Sequence, residues 1–364
     1  MEMKKTIIAV MMACLPILSQ AQTKEFACWD TYGQQMKLVA EEMLLKIPDM
    51  VAAIDLRNVE AITLDCTSAN PNCLFYTNGA TAVEGLPNAN VVCDGICDGL
   101  LLTDQACFYC PMAFTATDAM LRFTPRRDDG EDEAYFYQPC YETIVLPFDA
   151  DLVIPADADG PMPKGWLQAG HYCGYEDKML LFTLTDAEQL IADIPYMVKF
   201  EYAAYGSQIL FCGENKTVKE TKAAINYATP FSFVGITTSA YEEAFDFRYY
   251  RGQEQYFIHT GKKQLMEPFR CYITIGLLDE NEPDKSTIED LGSIFGTGDG
   301  DGPEKVLRYT IATEELPGDG EATGIDTHNN HRSSKMHFDL QGRPLGNGNR
   351  SKGIYIIDGI KVIK

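Results

Sequence analysis

Between residues 60 and 280 the apolar residues fall in runs of four or five, closed by Gly, Pro, Asn, Asp or Ser, and this broken rhythm limits the fold more than anything else. The runs are Ala61-Ile62-Thr63-Leu64, Cys73-Leu74-Phe75-Tyr76, Leu100-Leu101-Leu102-Thr103, Ala119-Met120-Leu121-Arg122-Phe123, Thr143-Ile144-Val145-Leu146, Leu180-Leu181-Phe182-Thr183, Tyr196-Met197-Val198-Lys199-Phe200, Phe231-Ser232-Phe233-Val234, Gln255-Tyr256-Phe257-Ile258 and Cys271-Tyr272-Ile273-Thr274-Ile275. Runs this short, rich in β-branched and aromatic residues and spaced roughly 10 to 30 residues apart, predict an antiparallel β-sandwich rather than βαβ units. One helix is predicted near Gln34 to Leu45, where Met36, Val39, Met43 and Leu44 recur at helical spacing. The fold class is therefore mainly β. With 364 residues, 46% of them hydrophobic, the chain can bury a sizeable core as one large β domain or two.

The two ends point to a compartment. Lys4-Lys5, an apolar run from Ile7 to Leu18 and then Ser19-Gln20-Ala21 have the form of a cleavable secretory signal over residues 1–21. Its removal takes away Lys4, Lys5 and Glu2 and deepens the net charge of -23 by one. After Ala21 no run approaches the roughly 20 apolar residues of a membrane-spanning helix, so no transmembrane span is expected in the mature chain. The acidity argues against nucleic acid, which is bound by neutralising phosphates with Lys and Arg. From Asp279 to Glu304 nine acidic residues face one Lys, with Gly296-Thr297-Gly298-Asp299-Gly300-Asp301-Gly302-Pro303 among them, and residues 279–327 read as a solvated linker.

Residues 328–364 reverse the charge, with seven Lys or Arg against Asp339 and Asp358. Ile354-Tyr355-Ile356-Ile357 and Ile360-Lys361-Val362-Ile363 flank Asp358-Gly359, the pattern of a small β-hairpin. Phe338-Asp339-Leu340-Gln341-Gly342-Arg343 and Lys352-Gly353-Ile354-Tyr355-Ile356 resemble the type IX secretion sorting domain of exported Bacteroidetes proteins. That resemblance implies export across the outer membrane, with the export machinery as a partner and Asp339, Gly342, Arg343, Gly353 and Tyr355 as the sorting motif. The tail is shorter than the full family domain.

A second resemblance covers most of residues 50–276. Ala69-Asn70-Pro71-Asn72-Cys73-Leu74-Phe75-Tyr76 and Phe114-Thr115-Ala116-Thr117 resemble segments of uncharacterised surface proteins of the same bacteria. Thr143-Ile144-Val145-Leu146-Pro147-Phe148-Asp149, Pro195-Tyr196-Met197-Val198-Lys199 and Pro268-Phe269-Arg270-Cys271-Tyr272 do so as well. The resemblance implies a short β-solenoid or leucine-rich-like part over 22–125, a β-sandwich over 126–278, and a place at the outer cell surface or outside the cell. The density of cysteines departs from that family.

Eleven cysteines remain after residue 21. In an exported chain Cys66, Cys73, Cys93, Cys97, Cys107 and Cys110 read as disulfides or as a cluster of free thiols. The spacing Cys93-x3-Cys97 and Cys107-x2-Cys110 also resembles a four-thiolate zinc site, which needs the four sulfurs to converge. Only His171 and His259 lie outside the tail, and no Gly-x-Ser-x-Gly, His-Glu-x-x-His or phosphate-binding loop occurs. Glu242, Glu243 and Asp246 could supply two glycosidase carboxylates, but read first as a solvated face. The expectation is a non-enzymatic adhesion or ligand-binding module without catalytic residue, metal or cofactor, its ligand a surface glycan or protein; the alternative is a carbohydrate-active enzyme or accessory sugar-binding module. N-terminal sequencing of the exported protein is expected to begin at Gln22, and cells lacking type IX secretion are expected to lose its surface display.

Overall fold

In the computed structural model residues 24–80, 82–126, 140–158, 162–176, 179–201, 208–228, 230–242, 244–250, 254–259, 263–276 and 305–312 are described, with 337–338, 344–345, 354–357 and 360–363. Every regular element among them is a strand, and each of the ten apolar runs overlaps one. The first ten are β1 (Lys24–Asp30), β2 (Gln35–Ala40), β3 (Leu44–Lys46), β4 (Val51–Asp55), β5 (Ala61–Asp65), β6 (Leu74–Thr77), β7 (Ala82–Glu84), β8 (Val91–Cys93), β9 (Ile96–Thr103) and β10 (Phe114–Phe123). There follow β11 (Cys140–Ile144), β12 (Leu152–Pro155), β13 (Leu167–Glu176), β14 (Met179–Asp186), β15 (Tyr196–Phe200), β16 (Ile209–Val218), β17 (Ala224–Ala228) and β18 (Phe231–Ile236). The last strands before residue 315 are β19 (Ala240–Glu242), β20 (Phe245–Tyr250), β21 (Glu254–His259), β22 (Gln264–Met266), β23 (Arg270–Ile275) and β24 (Lys305–Ala312).

The helix expected over Gln34 to Leu45 is absent; that stretch is β2, a turn and β3. Met36, Leu38 and Ala40 are covered while Gln35, Lys37 and Val39 are exposed, the period of two that belongs to a strand. Val39 and Met43, which suggested a helical stripe, are 51% and 52% exposed and line no core. β2 pairs antiparallel with β1. A two-residue turn then reverses the chain: Glu42 and Met43 have φ of 48° and 72°, and Glu41 and Leu44 exchange backbone hydrogen bonds of 3.0 and 2.9 Å.

From β3 onward the chain coils, and residues 44–122 form a β-solenoid-like stretch. β3, β5 and β7 stack in parallel, as do β4, β6 and β8. Leu45, Ile47, Ile54, Leu56, Ile62, Leu64 and Phe75 fill the space inside the coil. Its bends need partners for backbone groups that no ladder reaches. Buried asparagines supply them. The Asn72 amide donates to Thr103 O and Ala106 O at 2.8 and 2.6 Å and its carbonyl accepts from Thr103 N at 2.9 Å. Asn90 bonds Pro71 O, Leu101 O and Leu101 N in the same way, and Asn70 donates to Cys107 O. Asp94 and Gly95, at φ of 49° and 83°, then close a tight antiparallel hairpin between β8 and β9.

Strands from beyond residue 125 complete this part. The nine-stranded sheet runs β12-β16-β10-β9-β8-β6-β4-β1-β2, with β16 antiparallel to β10 over nine residue pairs. A ten-stranded sheet follows in the order β11-β15-β13-β14-β24-β21-β20-β23-β18-β17, antiparallel except where β14 and β24 run parallel. Tyr172, Phe182, Phe231, Phe233, Phe247 and Phe257, drawn from across that sheet, share one aromatic core. The pairs Pro147-Phe148, Pro195-Tyr196 and Pro268-Phe269 each bury their aromatic ring in a separate core with residues of β9 and β10. In the unit Glu315–Lys364, β25 (His337–Phe338), β26 (Pro344–Leu345), β27 (Ile354–Ile357) and β28 (Ile360–Ile363) form a four-stranded sheet in the order β26-β25-β27-β28. Of the sorting motif, Tyr355 lies in β27, while Asp339, Gly342, Arg343 and Gly353 lie outside the described residues, as do residues 1–23 and 277–304.

The turn after β2 holds Met43 in a conformation that costs an L-residue about 1 kcal/mol or more. Met43→Gly is expected to raise the urea midpoint by an amount equivalent to about 1 kcal/mol, and Met43→Val to lower it.

Candidate functional site

The densest polar constellation lies where the two sheets meet, and it is built on an unusual turn. Proline at position 268 fixes its own φ, and Phe269 comes next at φ 60°, the left-handed region a large side chain rarely enters. Phe269 is fully buried and stacks on Phe108, with ring centroids 6.4 Å apart. Its N–H donates to Ile236 O at 2.7 Å and its carbonyl accepts from Val145 N at 3.2 Å. The turn therefore delivers Arg270, the first residue of β23, to a fixed point beneath the ends of β9 and β10.

There Arg270 is 4% exposed, and its guanidinium is held by partners from several elements. It donates to Glu142 of β11 at 2.8 Å, to Asp104 at 3.0 Å and to Thr124 O at 2.6 Å, and its plane lies 4.0 Å over the Phe123 ring. Asp104 also accepts from Thr124 N at 2.8 Å and from Gln105 at 3.1 Å. The second oxygen of Glu142 accepts the backbone N–H of Arg126. Arg126 pairs in turn with Asp246 of β20 at 3.2 Å and with Glu267 at 3.0 Å, and donates to Phe247 O. Thr143 and Cys271 bond each other at 3.1 and 3.0 Å, joining β11 to β23 beside the ions.

Burial pushes the carboxyls of Asp104 and Glu142 upward, and the Arg270 charge opposes that rise. Burial disfavours the Arg126 cation, yet Asp246, Glu142 and Glu267 together outweigh it and raise its pKa. The buried carboxylates of Asp104 and Glu142 thus accept from fixed donors, while Glu267 stays half exposed at the rim. The arrangement can clamp charge. Asp246 belongs to this clamp and is 1% exposed, so it is not on the solvated face expected for it. Glu242 is exposed on β19, and Glu243 lies outside the described residues.

The ten described cysteines, Cys66, Cys73, Cys93, Cys97, Cys107 and Cys110 among them, are free thiols; the Cys140 side chain lies outside the described residues. Cys28 and Cys73 are buried inside the coil, with Cys66 partly covered beside them. Burial raises the thiols of Cys28, Cys97 and Cys110 to about 11, which leaves them protonated and unreactive near neutral pH. The β8–β9 hairpin sends the zinc-like pair apart: Cys93 faces Ile96 on the exposed side while Cys97 faces Val92 on the buried one. Asp-Gly between them was the signal for that hairpin. Cys107 meets Ser239 at 2.7 Å, whereas Cys110 turns inward to Tyr76 and Met112 O. Among the described residues no three His, Cys, Asp or Glu side chains converge as ligands for a metal.

Comparison with protein-family models, curated proteins and solved structures returns no match. Of the ion cluster the sequence pointed only to Asp246, and there in another role. Arg270 and Glu142 are 128 residues apart and Arg270 and Asp104 are 166 apart, so no local pattern links them. Removing the arginine strands two buried carboxylates, and Arg270→Met is expected to cost about 3–5 kcal/mol in equilibrium unfolding. The triple variant Asp104→Asn, Glu142→Gln, Arg270→Met is expected to recover most of that loss.

Proposed function

We propose that the chain is a non-enzymatic ligand-binding or adhesion module of an exported cell-surface protein. The observation that carries this reading is a row of side chains across the outer face of the nine-stranded sheet. Leu101 of β9 pairs with Met120 of β10, Met120 with Cys212 of β16, and Cys212 with Leu152 of β12. Leu101 and Leu152 are 47% and 46% exposed, and Leu210 and Ile154 continue the apolar surface one step along. Arg122 lies on one side of the row, Asp118 and Glu214 on the other. A flat apolar strip with a charged rim suits the docking of a glycan or protein surface.

Export rests on the leader-like residues 1–21 and on the sorting-like tail, with the export machinery as the tail's partner. The ten-stranded sheet is read as a sandwich behind the solenoid, as in the Bacteroidetes surface proteins that the sequence resembles. The alternative, an accessory sugar-binding module, gains support from Tyr241, which is 55% exposed and offers a ring face to a sugar. The glycosidase form of that alternative is weakened by Asp246, whose carboxylate is committed to Arg126.

Glycan and protein arrays probed with residues 22–325 are expected to give a saturable ligand. The paired variant Leu101→Glu, Leu152→Glu is expected to weaken its binding at least about tenfold, since it puts a charge at each end of the row, on its two most exposed apolar side chains. Hydrolysis of a polysaccharide pool without retained binding would overturn the reading.

A further inference from the structure

Tyr172 and Tyr175 lie three residues apart on β13, a spacing that sends side chains of a regular strand to opposite faces. Here they share a face. The register against β14 slips at Cys173, since Tyr172 faces Phe182 and Gly174 faces Leu181. The extra residue is a bulge: Cys173 faces outward as alternation requires, and the facing of Gly174, Tyr175 and Glu176 after it is reversed. Both rings then enter the core of the ten-stranded sheet: Tyr172 packs 5.6 Å from Phe182, and Tyr175 meets Phe231 edge-on at 5.1 Å.

Their hydroxyls are both buried, and neither has a hydrogen-bond partner among the described residues. Tyr172 itself is only 2% exposed. A buried phenol without a partner loses its bonds to water and regains nothing, and phenylalanine at the same position would keep the ring without that loss. After burial, a charge on Tyr175 or on Tyr227 of β17 would push the Tyr172 hydroxyl up further. Burial is the largest influence on Tyr172 and holds its hydroxyl in the protonated, donating form.

We infer that one ordered water molecule sits between the Tyr172 and Tyr175 hydroxyls at this end of the aromatic core. A water can accept from one phenol, donate to the other and keep a further bond for a neighbour, which is the set of partners an internal water needs. The bulge at Cys173 is thereby a device that builds a two-pronged polar seat inside an otherwise apolar wall.

The test uses the full chain without its leader and the variants Tyr172→Phe, Tyr175→Phe and the double. Each single variant is expected to lower the melting temperature by about 2 °C, and the double to lose little more than the worse single, because both prongs hold one guest. Water-oxygen magnetic relaxation dispersion is expected to count one long-lived internal water fewer in the double variant than in the parent. A raised or unchanged melting temperature in the Phe variants would sink the inference, as would an unchanged count of internal waters.

Discussion

A cation buried at a junction must be met from all sides, and Arg270 obliges the two sheets to meet in one way. Glu142 approaches from the ten-stranded sheet, Asp104 and Thr124 from the strand ends of the nine-stranded one, and Phe123 covers the guanidinium plane. No smaller set would compensate the charge, because desolvation of an ion costs several kcal/mol before its partners return anything. The same demand explains why Phe269 tolerates a left-handed backbone. The turn that strains it also buries its ring and aims the next residue.

The coil depends on a different economy. Parallel strands as short as β6 and β8 cannot satisfy the bends between them, so asparagine side chains replace the missing backbone partners. An amide is suited to this work because it carries two donors and an acceptor on one short stem. Cys28 and Cys73 complete the interior as small apolar residues, and their burial keeps them as protonated thiols.

Much of the strand content was legible because β-branched and aromatic clusters bounded by turn residues are a local signal, and all ten runs overlap strands. The error over Gln34 to Leu45 came from apolar residues on both faces of β2 and its turn, which imitate a helical stripe when summed without regard to exposure. Parallel stacking in the coil was reached through resemblance of segments such as Asn70-Pro71-Asn72, not through periodicity. The charge clamp stayed hidden for a simpler reason: its members are ordinary residues until the fold brings them together. Cys93 and Cys97 show the reverse failure, a suggestive spacing that the intervening Asp94-Gly95 turn separates across a sheet.

One topological detail bears on the order in which the molecule can be made. β16 pairs with β10 along its whole length, although it is synthesised about ninety residues later, and β12 joins the sheet only by way of β16. An amino-terminal half emerging from a ribosome thus carries an open edge at β10 until residue 218 has emerged behind it. Such long-range pairing delays closure. The coil can close its own rungs early, but the outer edge of its last strand stays unpaired until a strand from the middle of the chain arrives to cover it.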